Sequence, residues 1–366
     1  MKKDLSLYIH IPFCKMICLY CNFLTFANKS QWIPQYVDAV CKEIAERSQK
    51  LKNCRVVTIN FGGGTPSLIE PLFIQKIIRH AKAFFEVEPD AEISIECNPE
   101  SVDENRLKIY QEAGVTRFSL GVQSLNKKTL ARVMRPHDSA TIFKALSYIK
   151  NAGIKNFGTD FIMGLPGQTL VSFQQEVETI LEYQPAHLSF YFLSYDTKKI
   201  DIFIKECPCE DEQIEMYEWL CQKLKAHGFT HYEVSNWAQP GFECKHNQRC
   251  WEQKDYLGIG VGAHSIASGT MWENQKSFDG YLKNPMKTCE EMPIDADLKR
   301  MEYIMLSLRT HRGMDLEWYK NFGDIKKLLQ NAETYKKSGH LKKTANRLIA
   351  TEKGFLILDQ ITQTLL

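Results

Sequence analysis

LYIHIPFCKMICLYCNF, residues 7–23, leads an alternating apolar stretch straight into three cysteines, Cys14, Cys18 and Cys21. LSLYIHI (5–11) alternates at the period of a β-strand, and Pro12 ends it. The cysteine spacing is C-x3-C-x2-C. A zinc knuckle opens C-x2-C and needs a second pair further on, whereas the next cysteine here, Cys41, sits in a helical pattern. Three thiolates leave tetrahedral zinc incomplete. They suit a cubane cluster with three irons held by protein and the fourth open to another ligand.

Downstream, short β-rich runs alternate with amphipathic ones. Strands are expected at 5–11, 55–61, 91–97, 116–122, 154–164 and 187–193, and helices at 36–50, 71–85, 104–114, 139–153 and 169–183. Glycines at 114 and 153 close two of the helices. This βα rhythm predicts an α/β fold, a partial (β/α)6 barrel with a parallel sheet and helices outside. After residue 193 the rhythm stops, short of the two further units that a full barrel needs. The expected division is a barrel over 1–235, an aromatic and glycine-rich segment over 236–290 packing on it, and a small, mainly helical C-terminal domain over 291–366. Its boundary falls between 275 and 295, where KNPMKTCEEMPIDAD is polar and proline-containing.

Composition removes several function classes. The 46 basic and 44 acidic residues leave a net charge of +2, which gives no reason to expect nucleic acid or an anionic membrane as partner. No apolar run is long enough to span a bilayer, and the first residues do not read as a cleavable signal. Twelve cysteines without an export signal point to a reducing cytoplasm. Most read as small core residues or surface thiols. The pair Cys207 and Cys209, in KECPCEDE, reads as solvated loop.

In a parallel barrel, ligands collect at the carboxyl ends of strands. Several residues of interest fall there: the cysteine loop after the first strand, GGGTP (62–66) after the second, Glu96 and Asn98 closing the third, Gln123 after the fourth and Asp160 closing the fifth. GGGTP lets backbone approach a ligand closely, but it also suits a tight turn, and no nucleotide fingerprint accompanies it. A strand-end carboxylate suits a ribose hydroxyl or an ammonium, or equally a salt bridge across the mouth.

The cysteine loop and GGGTP together resemble the radical S-adenosylmethionine superfamily. LYIHIPFCKMICLYCNF, ECNPES, FSLGVQSLN, RPHD, DFIMGLPGQT and YLGIGVGAHS resemble one branch of it, the oxygen-independent coproporphyrinogen III oxidases and their relatives, over nearly the whole chain. The resemblance implies that Cys14, Cys18 and Cys21 bind a [4Fe-4S] cluster and that its open iron chelates S-adenosylmethionine. It further implies that Gly63, Gly64 and Thr65 line the methionine end, with Tyr8, Glu96, Gln123, Arg135 and Asp160 around the cofactor. A reduced cluster would then cleave the sulfonium bond, which calls for an electron donor.

Two departures separate the chain from authentic oxidases. Phe23 stands where they carry a fourth cysteine, and the first strand begins by residue 5, without their amino-terminal extension. Both resemble the heme chaperone subgroup, HemW, whose members bind heme and hand it to acceptor hemoproteins. That subgroup carries H-N-x-x-Y-W, and this chain reads HNQRCW, with His246 and Cys250 as candidate heme ligands; cysteine at the tyrosine position is itself a competent ligand. His246 reads equally as hydrogen-bonded packing between two domains, and His10, His231 and His264 compete with it as ligands. Peripheral association with membrane hemoproteins is compatible with this function, and oligomeric state stays open. The second reading is the oxidase itself, decarboxylating two propionates to vinyls; a radical methyltransferase is the third.

Overall fold

The computed structural model describes residues 2–194 and 204–366. At its centre lie β1 (Lys3–Ile11), β2 (Cys54–Gly63), β3 (Glu86–Cys97), β4 (Arg117–Gln123), β5 (Phe157–Met163) and β6 (His187–Phe192). They are hydrogen-bonded in sequence order and all parallel. Helices α1 (Ile33–Lys50), α2 (Pro71–Phe84), α3 (Glu104–Ala113), α4 (Ser139–Asn151) and α5 (Leu170–Leu181) connect them. Local chemistry sets the helix ends. Asp103, Asp138 and Thr169 accept backbone N–H groups at three N-termini, and Gly114 takes a left-handed conformation (φ 99°) after α3.

The alternation in β1 has an unusual meaning. Leu5, Leu7, Ile9 and Ile11 are fully buried, and so is Ser6, with His10 nearly so. Neither face of the strand meets bulk solvent. The apolar residues join the core beneath the helices, and the polar ones line the inside of the curved sheet. That interior carries polar pairs: Ser94 donates to Asn60, and Ser119 to Asp160.

Both edges of the half-barrel are extended. Beside β6, β7 (Thr230–Glu233) and β8 (Asn236–Ala238) form an antiparallel hairpin. Beside β1, β9 (Tyr256–Ile259) adds a seventh parallel strand, from which β10 (His264–Ala267), β11 (Thr270–Asn274) and β12 (Thr288–Pro293) continue antiparallel. The 236–290 segment is therefore woven into the sheet. Part of the stretch expected as a polar linker is the edge strand β12, whose exposed, charged residues explain its loop-like composition.

Between these strands, α6 (Glu210–Ala226) packs on α5, and α7 (Lys245–Trp251) closes the amino end of the barrel. Ser6, Thr58 and Glu92 form one register layer there. Arg249 donates to Ser6 (2.7 Å), His246 Nδ1 pairs with the Thr58 hydroxyl (2.9 Å) and the His246 N–H donates to Glu92 (3.0 Å). A second hydrophobic core gathers Ile304, Leu308, Met314, Leu348, Ile361 and their neighbours around α8 (Ala296–Ser307). A three-stranded antiparallel sheet joins the helices of this region. Among the described residues, no helix is long and apolar enough to cross a membrane.

Glu43 on α1 ties the first helix to the far edge. Its fully buried carboxylate accepts from Gly260 N (2.9 Å), Tyr281 Oη (2.7 Å), Asn274 Nδ2 (2.7 Å) and Arg47 Nε (3.4 Å). Burial pushes it up to about 7 despite these donors. Glu43→Ala would leave the Arg47 guanidinium buried without its carboxylate, and should lower unfolding stability by roughly 3–5 kcal/mol in denaturant titration. Glu43→Gln, which keeps the shape, should lose less.

Candidate functional site

Strand β1 ends at Ile11, and the chain turns at Pro12 into the cysteine loop. Backbone hydrogen bonds fix that turn against β2: Gly64 N donates to Ile11 O and Thr65 N to Phe13 O, both at 2.9 Å. Close packing makes glycine necessary. A Cβ on Gly64 would lie 2.8 Å from Phe13 O and 3.0 Å from Cys14 Sγ, and one on Gly63 (φ +111°) 2.5 Å from the His10 ring. Farther along the loop, Leu19 N donates to Val133 O (3.2 Å), and Tyr20 packs on Val133, Ile162 and Leu165.

Cys14, Cys18 and Cys21 line one cavity of about 370 Å3 at the carboxyl ends of the strands, together with Gly63, Gly64, Thr65, Glu96, Gln123, Arg135 and Asp160. Thr65 Oγ1 donates to Cys14 Sγ (3.7 Å), and Arg135 Nη1 to Cys18 Sγ (3.6 Å). Burial raises the Cys14 thiol above its ordinary range; the Thr65 hydroxyl opposes this, and the nearby Cys21 and Cys18 add to it. Arg135 also donates to Asn98 (3.1 Å) and Gly121 O (2.9 Å), and Glu100 pairs with His137 Nδ1 (2.8 Å). Ser119 donates to both oxygens of Asp160 (2.9 and 2.8 Å). Glu96 opens to the cavity but sits deep in the barrel mouth, where loss of bulk water and the nearby Asp160 push it up to about 7, against a bond from Gly63 N–H.

Two polar atoms in this cavity are orphaned. Gln123 Oε1 and Arg135 Nε are buried without a hydrogen-bond partner, and Gln123 holds a left-handed backbone (φ 62°) that is rare for a non-glycine residue. Cys97 also lines the cavity, but burial pushes its thiol up to about 12. Ser119, Tyr20 and the Glu100–His137 pair were not singled out from the sequence. ECNPES and RPHD contain the pair, yet nothing in sequence spacing shows that Glu100 and His137 meet.

Tyr8, His246 and Cys250 lie elsewhere. They line a larger cavity of about 800 Å3 between β1, the β9–β10 hairpin, Trp251 and α8. Tyr8 Oη bonds His10 Nδ1 (3.1 Å), and His10 Nε2 bonds Leu24 O (2.9 Å), so both His10 nitrogens are taken. His264 also lines this cavity and pairs with Glu273 (3.2 Å). His246 and Cys250 share one face of α7, four residues apart. Thr58 takes His246 Nδ1, which leaves Nε2 for a ligand, and burial lowers the ring to about 4, so it is neutral. Burial raises the Cys250 thiol to about 11. Asn22 and Phe23 border both cavities.

A family model for the Radical SAM superfamily matches residues 8–180. The heme chaperone HemW of Lactococcus lactis is 32% identical over 88% of this chain and 86% of its own length. That of Haemophilus influenzae is 31% identical over 99% and 98%. The chain belongs to the HemW family. In structure it is similar to the coproporphyrinogen III oxidase HemN of Escherichia coli, a radical SAM enzyme, with a TM-score of 0.87 and 25% identity over 100% of this chain and 90% of that one.

Members of a radical SAM family carry a [4Fe-4S] cluster and S-adenosylmethionine, and the smaller cavity fits both. Cys14, Cys18 and Cys21 would hold the cluster through three thiolates. Gln123 Oε1 and Arg135 Nε offer unmet hydrogen-bonding capacity to a polar ligand, and the carboxylates of Glu96 and Asp160 line the same cavity. A reduced cluster held there would be able to supply one electron to S-adenosylmethionine. The chain itself contributes the Arg135 and Thr65 contacts to sulfur.

Glu96 gives a pH test. It reaches into open cavity space, so water there moderates the cost of its charge. Because its folded value lies above the ordinary 4.5, the cofactor-free protein takes up a proton on folding between that value and about 7. Stability should therefore fall as pH rises through this window. Glu96→Gln should remove that component, and its stability relative to wild type should climb by at most about 1.4 kcal/mol per pH unit and level off above 7. Denaturant titrations from pH 5 to 8 measure it.

Proposed function

We propose that this chain is a heme chaperone. It takes heme into the larger cavity, holds it through His246 or Cys250, and passes it to acceptor hemoproteins. The observation that carries this reading is the cavity itself. At about 800 Å3 it has the size of an organic-cofactor site, and it lies beside the cluster cavity with Asn22 and Phe23 as shared wall. Trp251, Ile266, Met305 and Leu306 supply apolar surface for a porphyrin face, while Lys254 and Lys299 supply cations for its propionates.

In this reading the cluster cavity binds S-adenosylmethionine through Gly63, Gly64, Thr65, Glu96, Gln123, Arg135 and Asp160. Tyr8 stands between the two cavities: its ring approaches the position that a Gly62 Cβ would occupy to 3.0 Å, and Glu96 approaches the same position to 2.6 Å. Residues 291–366 act as the accessory unit that walls the heme cavity through α8. The chain works in the cytoplasm, draws electrons from a separate donor and meets membrane hemoproteins from the periphery.

The likeness to HemN keeps oxidative decarboxylation of coproporphyrinogen III as a second reading. Phe23 stands against it: this residue occupies the oxidases' fourth-cysteine position and is 69% exposed between the cavities.

Heme titration of variants tests the ligand assignment. His246→Ala should weaken heme binding at least about ten-fold and shift the Soret band, as expected for loss of an axial ligand. Cys250→Ser should shift the band if sulfur ligates. Unchanged affinity and spectrum in both variants would remove heme from this cavity.

A further inference from the structure

Outside both cavities, three donors from separate elements converge. Cys221 is on α6, His231 on β7, and Glu352 opens the short helix Glu352–Leu356 in the C-terminal region. Their ligand atoms, a sulfur, a ring nitrogen and a carboxylate oxygen, all lie within 4.8 Å of one another.

His231 gives the cluster its meaning. Its ring stacks on Trp237 (4.0 Å, 12° between planes) and meets Phe355 edge-on (5.1 Å), so its orientation is fixed. Nε2 lies 3.4 Å from Val234 O. A carbonyl can only accept, so the neutral ring carries its proton on Nε2 and a lone pair on Nδ1. Nδ1 is buried without a hydrogen-bond partner. An orphaned buried nitrogen is costly, and a backbone carbonyl on the opposite nitrogen is the usual support of a metal-bound imidazole.

We propose that Cys221, His231 and Glu352 bind a divalent metal ion, zinc by the character of the donors, that clamps the C-terminal region to the barrel edge. Thiolate, imidazole and carboxylate together suit a borderline-soft ion in tetrahedral geometry, with the fourth position taken by water. Binding transfers the Cys221 thiol proton to solvent. The donors belong to both hydrophobic cores' surroundings, so the ion would bridge them: Cys221 is part of the barrel core, and Phe355 beside Glu352 is part of the C-terminal one.

Anaerobic Co2+ titration tests the site in the full chain with Cys14, Cys18 and Cys21 changed to serine, which removes the three clustered thiols; the Cys221→Ser control separates the remaining ones. One equivalent should bind with a thiolate charge-transfer band and tetrahedral visible bands, and Zn2+ should displace it. Cys221→Ser should abolish the band. Glu352→Gln, at an exposed position that leaves packing intact, should weaken binding at least about ten-fold. In the cluster-loaded wild type, elemental analysis after Zn2+ addition and desalting should find one zinc per chain beside the iron, and less in Glu352→Gln. No thiolate band, a band that survives Cys221→Ser, or equal zinc retention in wild type and Glu352→Gln would overturn the proposal.

Discussion

The functional half of this molecule depends on how closely the end of β2 packs against the end of β1. Gly63 and Gly64 leave no room for a side chain: the His10 ring fills one position, and Phe13 O with Cys14 Sγ fills the other. Hydrogen bonds from Gly64 and Thr65 to Ile11 and Phe13 then lock the first cysteine over the barrel mouth. With Cys14 fixed, Thr65 reaches its sulfur, and Arg135, held by Asn98 and Gly121 O, reaches Cys18. A side chain at either glycine would displace the loop from its ligand-binding register, so GGGTP serves packing and binding at once.

The same strand connects the two cavities. Tyr8 and His10 project from β1 into the barrel interior; they bond each other, and His10 continues to Leu24, three residues beyond Cys21. A ligand resting against Tyr8 therefore lies at the start of a short hydrogen-bonded path to the cluster loop. The half-barrel's open side makes this possible. A closed barrel would bury Tyr8 and His10 in a packed core, whereas here β9, β10 and α8 wall off a cavity beside them.

Much of the architecture was legible in the sequence because parallel strands and their crossover helices impose strong local patterns. The six central strands lie where the βα rhythm placed them, and Asp103, Asp138 and Thr169 mark helix starts as N-capping residues should. The cysteine spacing and GGGTP likewise announced the smaller cavity. What was not legible depends on long-range pairing. Tyr256–Ile259 reads as an ordinary apolar run, and only the fold shows it parallel to β1. The charges of β12 match a loop because an exposed edge strand has the same solvent contact as one. Tyr8 and His246 are separated widely in sequence, yet their rings sit 6.5 Å apart because α7 folds under the barrel. His231, which read as a competing heme ligand, packs on Trp237 and Phe355 away from both cavities.

The chaperone account and the oxidase account assign the porphyrin opposite fates, and one assay separates them. The reconstituted chain, with its cluster and S-adenosylmethionine, would be incubated anaerobically with coproporphyrinogen III, a low-potential reductant and an electron acceptor, and separately loaded with heme and mixed with an apo-hemoprotein. The account predicts intact coproporphyrinogen alongside heme transfer to the acceptor. Catalytic formation of decarboxylated porphyrinogen would contradict it.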